Sequence, residues 1–422
     1  MPNSKVICII SNSHSTTDVR LYHKLAKSLC KIATVYVLGA MGFGVMPDIH
    51  DLETNTDTKT ETVVKPNRII VPGLTPFLRL IGLYRKAVKL KPDLVICIEP
   101  LTMYVGLRIR KKTGCKLVYD AHEYYTSAHA ERYRFPFNHL AAGMYYLIEH
   151  SLQEQMDLTI AVNEDIFKLY NLISYNSVKE EKPLLTALTE KYLLAPKRLG
   201  VVCPNYPTDD VWNDSLASCR ISSIIPETRF DIIYLGGITE ERGIIKMLHV
   251  INLLRQRRPG LKALFVGPFQ SEDYKNKFNS YLMDNNLNSF VFWRDLIPHY
   301  KVCAVLKQVK VGLSVLHPRY KRYRKALPLK LLEYLAAGVP VVANDFPQNM
   351  DIIEKYGLGH CVQYHKEDIA NAIDKLLNLS DSERQEMADK CRKVIREHFL
   401  WSKVEPVLLD AVNFVLNGTK TE

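Results

Sequence analysis

Two kinds of segment alternate along this chain, and no other feature constrains its fold as strongly. Short apolar runs rich in β-branched residues occur at Val6–Ile10, Thr34–Leu38, Arg68–Val71, Leu94–Ile98 and Lys116–Tyr119. Stretches of helical pattern separate them, as at 19–30, 75–90 and 101–112. Strands joined by helices of that length pair in parallel, because each helix carries the chain back along the sheet and covers one face of it. The second half repeats the theme. Phe230–Tyr234, Lys262–Val266, Phe290–Trp293, Val311–Ser314 and Val341–Ala343 read as strands. Helical patterns at 244–255, 272–285, 299–307, 329–337 and 347–355 follow them in turn. Two α/β units are therefore expected. The break falls at Pro204–Ile225, where Pro204, Pro207 and the acids around Trp212 interrupt the pattern. The expected boundaries are 1–205, 206–398 and a closing segment, 399–422, whose helix spans about Pro406–Leu416 and packs back on the first unit. The polar, threonine-rich stretch Met46–Val64 reads as a surface excursion.

Composition narrows the functional classes. The 422 residues are 47% hydrophobic and 24% charged, which suits folded domains rather than a disordered chain. No apolar run reaches the roughly 18 residues that a spanning helix needs. Residues 1–10 read as a first buried strand rather than a leader. The nine cysteines form no C-x-x-C pair, so they are expected as reduced, buried thiols, with neither a metal site nor a disulfide framework. The formal charge of +11 calls for an anionic partner. No nucleic-acid-binding motif is present, so phosphate-bearing substrates or an anionic membrane surface are expected, and nucleic acid is not. A cytoplasmic location follows, peripheral on the inner membrane face if lipid is the partner.

In a parallel sheet, ligands bind beyond the carboxyl ends of the strands, so the loops there carry the chemistry. Tyr234-Leu-Gly-Gly-Ile-Thr-Glu-Glu-Arg-Gly243 runs from a strand through two glycines, Gly236 and Gly237, into a helix start. Glycines let backbone approach a ligand, a helix N-terminus offers free N–H groups to an anion, and Arg242 adds a forked donor. The alternative is an ordinary turn with a solvated arginine. In Pro328-Leu-Lys-Leu-Leu-Glu333, Lys330 falls in the first helical turn, where a cation is unfavourable unless an anion is present. Glu333 lies about one turn on and can accept two ribose hydroxyls, although a simple Lys–Glu pair has the same spacing. Asp120-Ala-His-Glu123 gathers three ionisable groups at one strand tip, either for sugar binding and proton traffic or as a turn that satisfies itself.

These motifs occur in order along nearly the whole chain, together with Asp18-Val-Arg-Leu-Tyr-His-Lys24 on the first helix. The set resembles retaining glycosyltransferase family 4, within the glycosyl transferases of group 1. That resemblance implies the GT-B fold: two Rossmann-like domains facing across a cleft. It implies a nucleotide-diphosphate sugar as donor, held by the C-terminal domain, an acceptor held by the N-terminal domain, and no cofactor or required metal. Carried over, Arg242 and Lys330 would meet the diphosphate at Gly236 and Gly237, Glu333 the ribose, and Leu296 and Ile297 the base. His122, with Asp120, would serve the reacting sugar. The loop 11–18, with Ser13, Asp18 and Arg20, would close over the reacting centre or hold the acceptor. The chain departs from the pattern twice. Lys325 stands where many members carry a glutamate, and Gly237 where many carry an arginine. The implied activity is retaining transfer of a hexose to an acceptor hydroxyl, in cell-surface polysaccharide or glycolipid synthesis. A non-catalytic partner of the same fold and a sugar-nucleotide epimerase are the other readings. The helix 75–91 sets Phe77, Leu78 and Ile81 beside Arg79, Arg85, Lys86 and Lys89; it reads either as a core-facing helix or, with Arg108, Arg110, Lys111 and Lys112 of the next helix, as a lipid-facing element that would suit a lipid-linked acceptor.

Overall fold

The apolar runs pair as parallel strands in two separate sheets. The computed structural model describes residues 5–40, 67–70, 76–123, 125–126, 137–174, 199–209, 229–297, 299–325 and 327–417. These residues divide into two compact units. One comprises Met1–Asn205 with Val404–Glu422, the other Tyr206–Lys403.

In the first unit the strands are β1 (Val6–Ser15), β2 (Thr34–Ala40), β3 (Asn67–Ile70), β4 (Leu94–Cys97), β5 (Lys116–Ala121), β6 (Leu158–Ala161), β7 (Ile173–Ser174) and β8 (Leu199–Val202). They line up as β3-β2-β1-β4-β5-β6-β8-β7. Ile7 pairs with Val35 on one side and Leu94 on the other, so the strand order reverses at β1 and β4. The helices are α1, which begins in wide π turns over Val19–Ala26 and closes over Lys27–Leu29, then α2 (Pro76–Leu90), α3 (Pro100–Thr113), α4 (Phe137–Gln153) and α5 (Glu164–Leu169). Strand centres are fully buried: Ile7, Cys8, Ile9, Val95, Ile96, Leu117 and Val118 have no exposed surface, as a parallel sheet covered on both faces requires.

The second unit has β9 (Phe230–Leu235), β10 (Ala263–Val266), β11 (Val291–Arg294), β12 (Val309–Ser314), β13 (Val341–Asn344) and β14 (Gly359–Val362). Their order, β11-β10-β9-β12-β13-β14, reverses between β9 and β12. Its helices are α6 (Ile244–Arg257), α7 (Glu272–Asp284), α8 (His299–Leu306), α9 (Leu329–Ala336), α10 (Pro347–Met350), α11 (Ile353–Tyr356), α12 (Lys366–Leu377) and α13 (Asp381–His398). One core lies on the Ile232 and Tyr234 side of β9, against α6 and α12. The other lies on the Ile233 and Leu235 side, against α9 and α13. The last helix, α14 (Trp401–Asn417), crosses the boundary, with its residues from Val404 onward in the first unit.

Several expectations need correcting. The segment 11–18 is not wholly a loop: β1 continues to Ser15, because Glu99 holds Ser11, Asn12 and Ser13 extended. Strand β5 runs on through Asp120 and Ala121, paired with Ile160 and Ala161. The helix expected over 347–355 is two short helices, α10 and α11. The final helix begins at Trp401 with Pro406 inside it, rather than at Pro406. Strands β6, β8 and β14 and helices α4, α12 and α13 were not anticipated. The excursion 46–64 and most of the break, 210–225, lie outside the described residues.

Candidate functional site

Beside the reversal between β9 and β12, the turns after β9 and β10 each hold a glycine in backbone that other residues rarely adopt. Gly236 has φ +123° and Gly267, in the next strand-end turn, has φ +144°. A Cβ on Gly267 would stand 2.1 Å from the Gly236 carbonyl oxygen, so the two turns can touch only through glycine. The Tyr234 hydroxyl donates to the Gly237 carbonyl at 2.9 Å and the Tyr334 hydroxyl accepts from Leu235 N at 2.7 Å, which fixes the turn. Gly243, at φ +69°, caps α6; a Cβ there would sit 2.9 Å from the Tyr364 hydroxyl and 3.0 Å from the Val315 carbonyl. The start of α6 is thereby pressed against the loop after β12.

Two cations meet at this turn. Lys330, in the first turn of α9, is buried, and its ammonium lies 3.9 Å from the centre of the Tyr234 ring. Among the described residues that nitrogen has no hydrogen-bond partner. Burial first, then the nearby positive charge of Arg242, holds its pKa well below the usual lysine range. Arg242 itself stacks over Tyr323, 5.1 Å from the ring centre, while Tyr323 donates to Glu241 at 2.8 Å. An unpaired buried ammonium beside an arginine, with a helix start close by, is a combination that an anion would relieve. Glu333 lies one turn along α9 and is also buried. Ile297 is half-buried and Leu296 is 69% exposed, beyond β11, where Trp293 donates to the Gly267 carbonyl at 2.9 Å. Lys325 is exposed, and its carbonyl accepts from Gln348 at 2.7 Å.

The first unit has its own cluster, at the reversal between β1 and β4. Asp18 caps α1, accepting from Arg20 N at 2.8 Å and Leu21 N at 3.1 Å. Its other oxygen meets His14 Nδ1 at 3.3 Å. Burial opposes the charged forms of both groups, but their mutual hydrogen bond and attraction prevail, helped at His14 by Glu99 and Glu123 and at Asp18 by the Leu21 amide and His122. His14 is raised to about 9 and Asp18 lowered to about 2. Arg20 is 3% exposed and grips the fully buried Asp120 through two bonds, 2.8 and 2.6 Å, while also donating to the Cys203 carbonyl. Burial works against the Asp120 carboxylate, yet the Arg20 charge and bonds hold its pKa far below the usual range. His122 stands beside it, its Nδ1 3.5 Å from Asp120 Oδ2, with Tyr125 Oη 3.4 Å from its Nε2. The His14 and His122 rings meet edge to face at 5.1 Å. Glu99 accepts from the Ser11 and Ser13 hydroxyls at 2.5 and 2.6 Å and from the Asn12 and Ser13 amides.

The expected residues thus fall into two groups. Gly236, Gly237, Arg242, Lys330 and Glu333 gather in the second unit, with Leu296 and Ile297 on the loop after β11. Ser13, Asp18, Arg20, Asp120 and His122 gather in the first. Sequence reasoning missed Glu99, His14 and Tyr234. The i, i+4 spacing of His14 and Asp18 was a usable signal; the role of Glu99 depends on a partner 88 positions away.

Residues 219–396 match the family profile described as Glycosyl transferases group 1. No curated protein matches the chain. Among solved structures, a sucrose-phosphate synthase from Thermosynechococcus elongatus superposes with TM-score 0.68 at 15% identity, over 98% of this chain and 100% of that one. Anabaena HepE in complex with UDP and glucose gives 0.67 at 14%, over 97% and 99%. A UDP-forming α,α-trehalose-phosphate synthase from Burkholderia vietnamiensis gives 0.65 at 10%, over 99% and 100%. At these identities the likeness is one of fold, and the fold is GT-B: two parallel sheets flanked by helices.

Proposed function

We propose that the protein moves a hexose from a nucleoside-diphosphate sugar to an acceptor hydroxyl with retention of configuration, as in family 4 of the glycosyltransferases, serving polysaccharide or glycolipid synthesis. The observation that carries this reading is the unpaired, buried ammonium of Lys330 next to Arg242 and the glycine turn. The profile match over 219–396 and the UDP-bearing HepE neighbour support it.

In this reading the bond from the anomeric carbon to the diphosphate oxygen breaks, and a bond to the acceptor oxygen forms on the same face. The acceptor proton passes to the departing phosphate oxygen. Lys330, Arg242 and the starts of α6 and α9 stabilise the charge that grows on that diphosphate. No metal or cofactor is assigned. Glu333 takes the ribose hydroxyls, and Leu296 and Ile297 flank the base. His122 orients the reacting sugar; Asp120, engaged by Arg20, positions His122 without touching substrate. The stretch around Ser13 and Asp18 belongs to the acceptor side.

Release of nucleoside diphosphate from a panel of nucleotide sugars, with UDP-glucose first, tests the assignment. A catalyst should hydrolyse its donor slowly with no acceptor present. Lys325, exposed where many members of family 4 carry glutamate, favours a second reading, a sugar-nucleotide-binding scaffold. Tight binding with no hydrolysis and no transfer would select that reading, and conversion of the sugar itself would select an epimerase. Glu333→Gln should weaken ribonucleotides more than deoxyribonucleotides; equal losses would remove Glu333 from the ribose.

A further inference from the structure

Helix α3 packs between α2 and α4. Each of the three links two strands of one parallel sheet that follow one another along the chain, β3 to β4, β4 to β5 and β5 to β6. They therefore run in the same direction, with their N-terminal halves toward the carboxyl edge of the sheet. Those halves expose large apolar side chains. Leu78 and Ile81 on α2 are 51% and 36% exposed, and Leu101 and Tyr104 on α3 are 54% and 53%. On α4, Leu140, Met144 and Leu147 are 72%, 53% and 68% exposed. The first twelve residues of α4, Phe137 to Ile148, contain no Asp, Glu, Lys or Arg.

The outer faces of α2 and α3 turn basic toward their C-terminal halves. Arg85 and Lys89 continue the exposed row of α2, and Arg108 and Lys111 that of α3. Helices α2 and α3 each hold four lysines or arginines and no carboxylate. The one carboxylate of α4, Glu149, is buried and accepts from Tyr119, Tyr170 and Thr126.

We propose that the outer face of α2, α3 and α4 docks the protein onto an anionic lipid surface, with the apolar halves entering the headgroup region and the basic halves lying against lipid phosphates. A scatter of single exposed leucines needs no explanation, but exposed apolar side chains on three adjacent helices, beside basic residues on two helices that hold no carboxylate, do. A second copy of the chain fits less well. A two-fold contact lays the same patch on itself, and the three helices offer no exposed carboxylate to meet the basic bands. The α4 surface was absent from the sequence-level expectation, which rested on the α2 helix and on the cations of α2 and α3. The proposal does not depend on the nucleotide site, and its test uses no nucleotide.

Flotation of the full chain with vesicles decides it. Binding is expected to vesicles containing phosphatidylglycerol, not to pure phosphatidylcholine, and to fall with salt. Arg85→Glu with Lys89→Glu should weaken binding more than about tenfold. Leu140→Ser with Leu147→Ser should also weaken it more than about tenfold. All four positions are exposed, so thermal unfolding should be unchanged and will confirm an intact fold. Failure to float with anionic vesicles, or variants that float like the parent, would overturn the proposal. A concentration-dependent dimer in sedimentation, lost in the leucine variant while no vesicle binding is seen, would assign the face to a second copy instead.

Discussion

His14 and Asp18 hold opposite charges in a partly buried pair, and this ties the stability of the first unit to pH. His14 is raised from its ordinary 6.5 to about 9, so its contribution is complete below about 6.5 and is lost as pH climbs through about 9. Asp18 is lowered from 3.8 to about 2, so its share is present above about 3.8 and is lost as pH falls through about 2. The stability advantage of the parent over His14→Gln, measured by urea unfolding, should therefore shrink between about pH 6.5 and 9.5. A gap that stays constant across that range would dissolve the pair. Arg20 and Asp120 behave differently, because neither side chain reaches solvent. Arg20→Ala leaves a buried carboxylate unpaired and should cost about 3–5 kcal/mol in urea unfolding. Arg20→Lys should recover little of this, since an ammonium cannot supply both bonds of the fork to the two carboxylate oxygens. Full recovery by lysine would mean that charge alone matters there. His122→Ala should lower turnover far more than donor affinity; the opposite split would make His122 a binding residue.

At the scale of elements, the glycine turns are as demanding as any strand. Gly267→Ala forces a Cβ into the Gly236 carbonyl and a side chain into φ +144°. It should cost at least about 1–3 kcal/mol and weaken nucleotide binding as well, because the turn that carries Gly236 must move. A binding-competent, equally stable variant would show that the turn yields freely. Strands such as β1, β9 and β13 were legible because each is a compact apolar run between turn signals. Strands β6 and β8 were not: Thr159 interrupts the apolar run of one and Gly200 that of the other. Helix α4 escaped notice for a physical reason: its sequence lacks the charged face that marks a soluble helix, and that face is the one left exposed. Helix α13 had its signal, a capping box in which Ser380 and Glu383 bond reciprocally, and it was overlooked. Pro406 misled, because it reads as a helix start and stands inside α14. The second unit's site was legible because Lys330 and Glu333 share one short motif and Arg242 lies in another. In the first unit, Glu99 and Arg20 do their work through partners far away in sequence, which spacing cannot reveal.

For the whole molecule, the two sheets share one strand logic. Each reverses its order once, and each places its polar cluster at that reversal, where loops diverge and leave room for a ligand. The net charge of +11 has two destinations in this account, the phosphate-binding turn and the basic band on α2 and α3. The first carries the central claim, and it makes a proton-linked prediction. Burial and Arg242 lower the pKa of Lys330, so an arriving diphosphate must raise it again and, at a pH between the two values, draw a proton from solution. The decisive measurement is calorimetric titration of nucleoside diphosphates, UDP first, at mildly alkaline pH in two buffers of different ionisation enthalpy. The parent should take up a proton on binding, and Lys330→Met should bind about tenfold or more weakly, with that uptake gone. Equal affinity and equal proton uptake in the two proteins would contradict the account.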